Sequence, residues 1–370
     1  SGFVRCEGDC SFECGLTAES LDGRDGDILI EGDLSVSASI RIRKGELHVA
    51  GNLSAKSMDV DKKVIVEKNL SVEKINVGGN LEVGGDTKAL NLDVGGSYKA
   101  SGNAEVDRID VGGSVDVKGD TKGSRIDVGG TFRGTGPVEV AKIDVGGSVD
   151  VEATVKIEDI DVGGRVRVKG GEIKKSIDVG GTFESTDSLK FDSIDVGGSV
   201  KLSGRCEGRR IDVGGKVKVG KRLSLSGKLD VGGAAEISDR VKAESIHVGG
   251  SLKALRGEAT SSISVGGLIE TSEGIKAASI EIGRRGEVRG PMVGGNVHVR
   301  ERARVEDVYA DSLTMEENSS ARNVYVRKMY AESGCKILGE IQYTEALEKE
   351  GGVLFAQTPV KVEKLPPPPL

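Results

Sequence analysis

The chain has no Trp, five Tyr and six Phe among 370 residues, too few large aromatics to fill a conventional compact core of that length. Proline is also scarce, seven residues gathered mostly near the end, while Val and Ile recur throughout, which excludes a disordered chain. No apolar run approaches the roughly 20 residues that a membrane-spanning helix needs. Five Cys is a sparse, odd count, so no disulfide framework is implied and a reducing, cytoplasmic setting is expected. Charge of one sign does not dominate. The 52 basic and 59 acidic residues leave a net charge of −7, which suits a soluble, self-repelling surface and gives no reason to expect nucleic acid. Aromatic platforms for stacking single-stranded bases are missing too. The chain starts Ser-Gly rather than Met and shows no signal peptide, which is compatible with a processed product and a removed leader.

What is abundant is Gly, 56 residues, and its spacing governs the reading. The string Ile-Asp-Val-Gly-Gly and close variants place a first Gly at Gly78, Gly95, Gly112, Gly129, Gly146, Gly163, Gly180, Gly197 and Gly214, every step being 17. The step to Gly232 is 18, and Gly249, Gly266 and Gly283 return to 17. Within a repeat apolar and polar residues alternate, as in Ile126-Asp127-Val128, with the phase carried on to Phe132. A period of two with β-branched residues and frequent Gly favours strand over helix. The predicted fold is all-β: a single-stranded parallel β-helix, or β-solenoid, with 17 residues per coil.

Stacked coils predict columns of equivalent residues. One outward column reads Glu82, Lys99, Asp116, Arg133, Asp150, Arg167, Glu184, Lys201, alternating in sign. Lys218 breaks the series, and Glu236, Lys253 and Glu270 resume it. Such neighbours contribute only about 0.2–1 kcal/mol each, but they penalise a slip of one coil. Inward columns run Ile109 to Ile211 and Val111 to Val213, filling a narrow interior without aromatics. The Gly pair marks a corner where positive φ or close backbone approach excludes a side chain. The polar stretch Lys118 to Arg125 is expected to be the loosest face.

Upstream, Ile28–Gly32, Leu47–Gly51 and Val64–Lys68 keep the alternation while losing one or both glycines. Downstream, Val293-Gly-Gly-Asn-Val297 lies out of phase, and segments around Val308, Val324 and Ile337 continue as strands. The organisation expected is an N-terminal cap or arm with a Cys cluster over 1–26, a solenoid over 27–343, and a C-terminal cap with a disordered Pro-rich tail over 344–370. About 18–19 coils at the sheet spacing would make a rod roughly 90 Å long.

Candidate chemistry is thin. Cys6, Cys10 and Cys14 form a C-x3-C-x3-C cluster whose thiolates are weak candidates for zinc or an iron–sulfur group. The other reading is a set of small residues in a first coil. Cys206 and Cys335 are isolated and read as structural. The only histidines are His48, His247 and His298; His247 replaces Asp in an outward column and reads as surface. A hexapeptide-repeat enzyme with a catalytic or metal-binding His is disfavoured by the period of 17. The Asp column Asp93, Asp110, Asp127, Asp144, Asp161, Asp178, Asp195, Asp212 and Asp230 needs counter-charge. Arg108, Arg125, Lys142, Arg210 and Lys228 lie two residues ahead on the same face and supply it, with calcium the alternative. Nothing in the chain resembles a phosphate loop.

A β-solenoid of short Gly-punctuated coils, with Lys336–Ile341 through Gly351–Phe355 ahead of a Pro-rich end, resembles the bactofilin family of polymer-forming cytoskeletal proteins, in particular long archaeal-type relatives. The resemblance implies a right-handed β-helix that assembles end to end into filaments without nucleotide. This chain departs from it in length and in strict Gly-Gly spacing. The function expected is structural and non-enzymatic: a self-assembling scaffold without cofactor, joined through inward positions of its last coils such as Ile337 and Ile341. Terminal segments that contact membrane- or envelope-associated proteins would be further partners. A cell-surface or adhesive rod, and a solenoid carbohydrate-active enzyme, are the alternatives.

Overall fold

The computed structural model describes residues 2–370 and is all-β, with no helix among them. Parallel strands stack as a β-solenoid of about 21 turns. The count exceeds 18–19 because coils run from Phe3–Glu7 to Val360–Lys361. Two compact units divide the chain, Ser1–Thr186 and Asp187–Leu370.

In the first unit the inward column passes through Ile75, Leu92, Ile109, Ile126, Ile143, Ile160 and Ile177, each facing the next across a parallel ladder. All are buried. Asp116 faces both Lys99 and Arg133, so the charge column is a true register. Each coil carries three short strand stretches. Thr131–Gly134 is one, and the strand Thr121–Val128 supplies the other two by bending at Ser124, where the pairing skips a residue and the inward phase changes; corners lie at the Gly pair and at Thr135–Pro137. The stretch expected to be loosest is therefore a wall. Thr121 points inward and is fully buried, and its N–H donates to the Pro137 carbonyl at 2.9 Å.

The interior keeps a constant cross-section by pairing large with small. Tyr98, Phe132 and Phe183 are fully buried, and two residues on stand Ala100, Gly134 and Ser185. Where the first position holds Val115, Val149 or Val166, the second holds Val117, Val151 or Val168. Both positions share one inward face, so volume removed from one is restored at the other.

The Gly-Gly corners have no positive φ. Close approach explains them: a Cβ on Gly129 would lie 2.3 Å from the Gly112 carbonyl oxygen of the coil below. The next corner uses side chains instead. Oδ1 of Asp33, Asn52, Asn69, Asp86 and Asn103 accepts the N–H of Asn52, Asn69, Asp86, Asn103 and Asp120 in turn, at 2.7–3.2 Å. Pro137 holds the following position and has no N–H to give. Upstream the coils vary in length, Phe3 facing Ser20 and Ser20 facing Ser39, and Asp25 and Lys44 turn the corner at φ 55° and 58°.

The second unit repeats this pattern and then leaves it. Ile211 faces Leu229, which absorbs the 18-residue step. Beyond Gly283 the Gly pair gives way to tight turns with Arg285, Arg302 and Asn318 at φ 58–59°, and coils shorten so that Val297 faces Leu313 and Leu313 faces Met329. The out-of-phase Gly294-Gly295 sits at the bend, where Gly294 faces Ala277 and Ala310, not at the corner of Gly283. Residues 344–370, expected to be a cap and disordered tail, still build coil: Leu354–Phe355 pairs with Lys336–Ile337, and Val360–Lys361 with Gln342–Tyr343. The Pro-rich end then lies back against the unit's own surface. Likewise, residues 1–26 are wound as coil, with Phe3–Glu7 facing Ser20–Arg24.

Candidate functional site

The three N-terminal thiols are graded in depth. Cys6 is buried, Cys10 half-buried and Cys14 exposed, all of them free. Burial pushes the Cys6 thiol up to about 12, with the neighbouring Cys10 adding to the rise. Such a group is a poor thiolate. Among the described residues no three His, Cys, Asp or Glu side chains converge as metal ligands. Cys206 and Cys335 are buried, and burial raises Cys206 to about 11.

The histidines face outward. His48 Nε2 lies 3.0 Å from Glu67 and His298 Nε2 2.9 Å from Glu316, while His247 continues the Asp column above Asp230. That column is neutralised in part as its neighbours suggested. Arg125 reaches Asp127 at 2.9 Å and Asp144 at 3.5 Å, Lys142 lies 3.6 Å from Asp144, and Arg210 pairs with Asp212. In the alternating column Lys253 and Glu270 pair at 2.9 Å, but Arg133 leans past its ladder neighbours to Glu152 at 2.8 Å. Register and ion pairing are thus separate properties of that column.

Ile337 and Ile341 are not at an open end. Each is 1% exposed, because Phe355 stacks over Ile337 in one further coil and Ile341 packs inward beside Val324. The outermost strands are others. Within the described residues Phe3–Glu7 pairs only with Leu16–Arg24, and Leu354–Phe355 only with Lys336–Ile337. Phe3 is 61% and Leu354 60% exposed.

Two grooves were not foreseen, and both follow the bend of the coil. In the first unit an open groove of about 890 Å3 has a floor of Val36, Val72, Ala89 and Val106 and a lip that includes Leu90, which is 55% exposed. Lys88 and Glu105, 3.6 Å apart and largely in water, flank it. In the second unit the floor is Ala259, Ala277, Gly294 and Ala310. Tyr309 and Tyr325 stack at its side, centroids 4.8 Å apart, and the Tyr325 hydroxyl donates to Glu340 at 2.8 Å. Burial, and then Glu340, push that phenol up to about 12, so it stays a neutral donor.

This second groove, about 1020 Å3 and open, is lined on one side by the chain's own end. Val362 N–H still donates to Tyr343, after which Glu363 to Pro368 run along the groove and Leu370 reaches a notch at Gly274. There a Cβ would come within 3.0 Å of Leu370 Cδ1, and φ is +99°. From Lys361 to Ala277 is five rungs, ~24 Å at the sheet spacing, and the nine steps from Lys361 to Leu370 reach ~28 Å as polyproline II. A small-residue floor visible in the sequence as Ala277, Gly294 and Ala310, one coil apart, could have signalled the site. No protein-family model, no curated protein and no solved structure matches the chain.

Proposed function

We propose that this β-solenoid is a structural, self-assembling scaffold whose copies join through the edges of their outermost strands, as the resemblance to bactofilins implies. The observation that carries the reading is the set of strands that pair on one side only within the described residues, Phe3–Glu7 and Cys10–Phe12 in the first unit and Leu354–Phe355 and Val360–Lys361 in the second, with Phe3 and Leu354 exposed among them. Unpaired edges with apolar side chains template the addition of another strand. Alternating columns such as Lys99–Asp116–Arg133 favour a single register within the coils, so the edge presented is the same in every copy. The chemistry-bearing side chains described above are dispersed along columns rather than gathered, which supports a scaffold over a catalyst.

Negative-stain microscopy and light scattering of the purified chain test this. Filaments or end-to-end oligomers are expected at moderate concentration, and Phe3→Glu with Leu354→Glu should abolish them while far-UV circular dichroism stays unchanged. Monomers across a broad range of salt and concentration would refute it. Ile337 and Ile341 do not serve as probes, since a charge at either would enter the core.

A further inference from the structure

We propose that the groove beside Tyr309 and Tyr325 is a proline-rich peptide site whose ligand between molecules is the Leu365–Leu370 strap of a second copy. The strap's own seating shows the recognition chemistry. Leu365, Pro366 and Leu370 are half-buried while Pro367 to Pro369 face water, so aliphatic anchors bracket an extended proline run. The floor of Ala277, Gly294 and Ala310 leaves room for the run, and the stacked phenols form one wall. The water-facing prolines act as a spacer that arrives already extended, so seating the anchors at its two ends costs little entropy.

Exchange between copies conserves every contact. A strap that leaves its own groove for its neighbour's makes the same anchors there, and the neighbour's strap returns the favour to the vacated site. The opposing quantity is effective concentration. A short tether holds a strap near its own groove at about the millimolar level, so dilute chains keep the closed form. Copies held side by side experience a similar local concentration, and exchange becomes neutral. The link between the coil and the strap, Val362 to Lys364, is one strand bond past Tyr343 and ends in two exposed residues, which leaves the hinge free to turn outward.

Complementation between two damaged chains tests this. Ala278→Arg places a long charged side chain at an exposed lip position and closes the groove while leaving the strap free. Leu365→Asp with Leu370→Asp removes the anchors and leaves the groove open. Neither chain has an internal competitor, so mixing them should give a 1:1 complex by sedimentation, in addition to whatever each forms alone. A synthetic peptide spanning Glu363–Leu370 should dissolve it. Thr260→Arg, at the same lip, should substitute for Ala278→Arg. No complex at concentrations up to about 1 mM, or one that survives excess peptide, would overturn the proposal, given unchanged circular dichroism. Edge pairing is read separately: Phe3→Glu and Leu354→Glu, built into both chains, should leave this complex intact.

Discussion

The coils with Gly-Gly corners and the coils with tight-turn corners solve the same problem in different ways. Around Gly112 and Gly129 the backbone stacks so closely that a Cβ on Gly129 would sit 2.3 Å from a carbonyl oxygen, and the 17-residue spacing of these corners is broken once, at Gly232. Around Arg302 and Asn318 a residue at positive φ swings the chain outward, glycine is dispensable, and coil length drifts. Strict repetition in the sequence therefore marks where backbones touch. Degeneracy marks neither the end of the fold nor the end of such contact, since a Cβ on Gly45 in the upstream coils would still meet the Gly26 carbonyl oxygen.

The largest effect should come from the interior of a Gly-Gly coil. Phe132→Ala is expected to cost about 3–5 kcal/mol in chemical denaturation, whereas Val305→Ala, at the corresponding inward position of a turn coil, should cost about half that. Gly134→Val alone should overpack the same layer, yet combined with Phe132→Val it should recover most of the loss, a coupling read from the double-mutant cycle. Additive losses would show that the two positions do not share volume.

Corner substitutions should then differ in sign. Gly129→Ala is expected to destabilise by about 1–3 kcal/mol, while Arg302→Gly should stabilise by up to about 1 kcal/mol through relief of left-handed strain. Equal signs in thermal unfolding would erase the distinction between the two corner types.

The smallest effect is electrostatic and belongs to a turn coil. Arg322 clasps Asp307 through two bonds of 3.0 and 2.7 Å, and Asn323 adds a third at 2.9 Å, holding the carboxyl below the usual carboxylate range. A depressed folded value stabilises the protein above the unfolded value and ceases to do so as pH falls through the folded one. Asp307→Asn should therefore cost about 0.2–1 kcal/mol near neutrality, a cost that shrinks as pH falls through the depressed folded value. A cost that persists in acid would assign the effect to packing.

The solenoid was legible because its order is written at a fixed interval: Ile109, Ile126 and Ile143, and Asp116 above Arg133, are one ladder each. The Asn52–Asn69–Asp86 ladder was equally available at the same interval and was missed, because Asn and Asp in Gly-rich corners read as turn residues. The thiols were separable only by the winding of the first coil, which puts Cys6 inside and Cys14 outside. Proline explains the remaining miss. It cannot join a ladder, so Pro366 to Pro369 carried no strand signal, and their partner surface consists of residues too small to stand out.

The Asx corner and the tight turns fasten in opposite temporal order. In the Asx column the acceptor belongs to the earlier coil, so a chain lengthening from its N-terminal side offers each new coil a docking point already in place, until Pro137 declines it. At the tight turns the roles are exchanged: the N–H groups of Lys44, Glu301, Glu317 and Ser333 wait for the carboxylates of Asp61, Glu316, Glu332 and Glu350, which come later in the chain. During synthesis the first kind of corner would clip shut as it emerges, whereas each of the second would stay unlatched until its successor arrives.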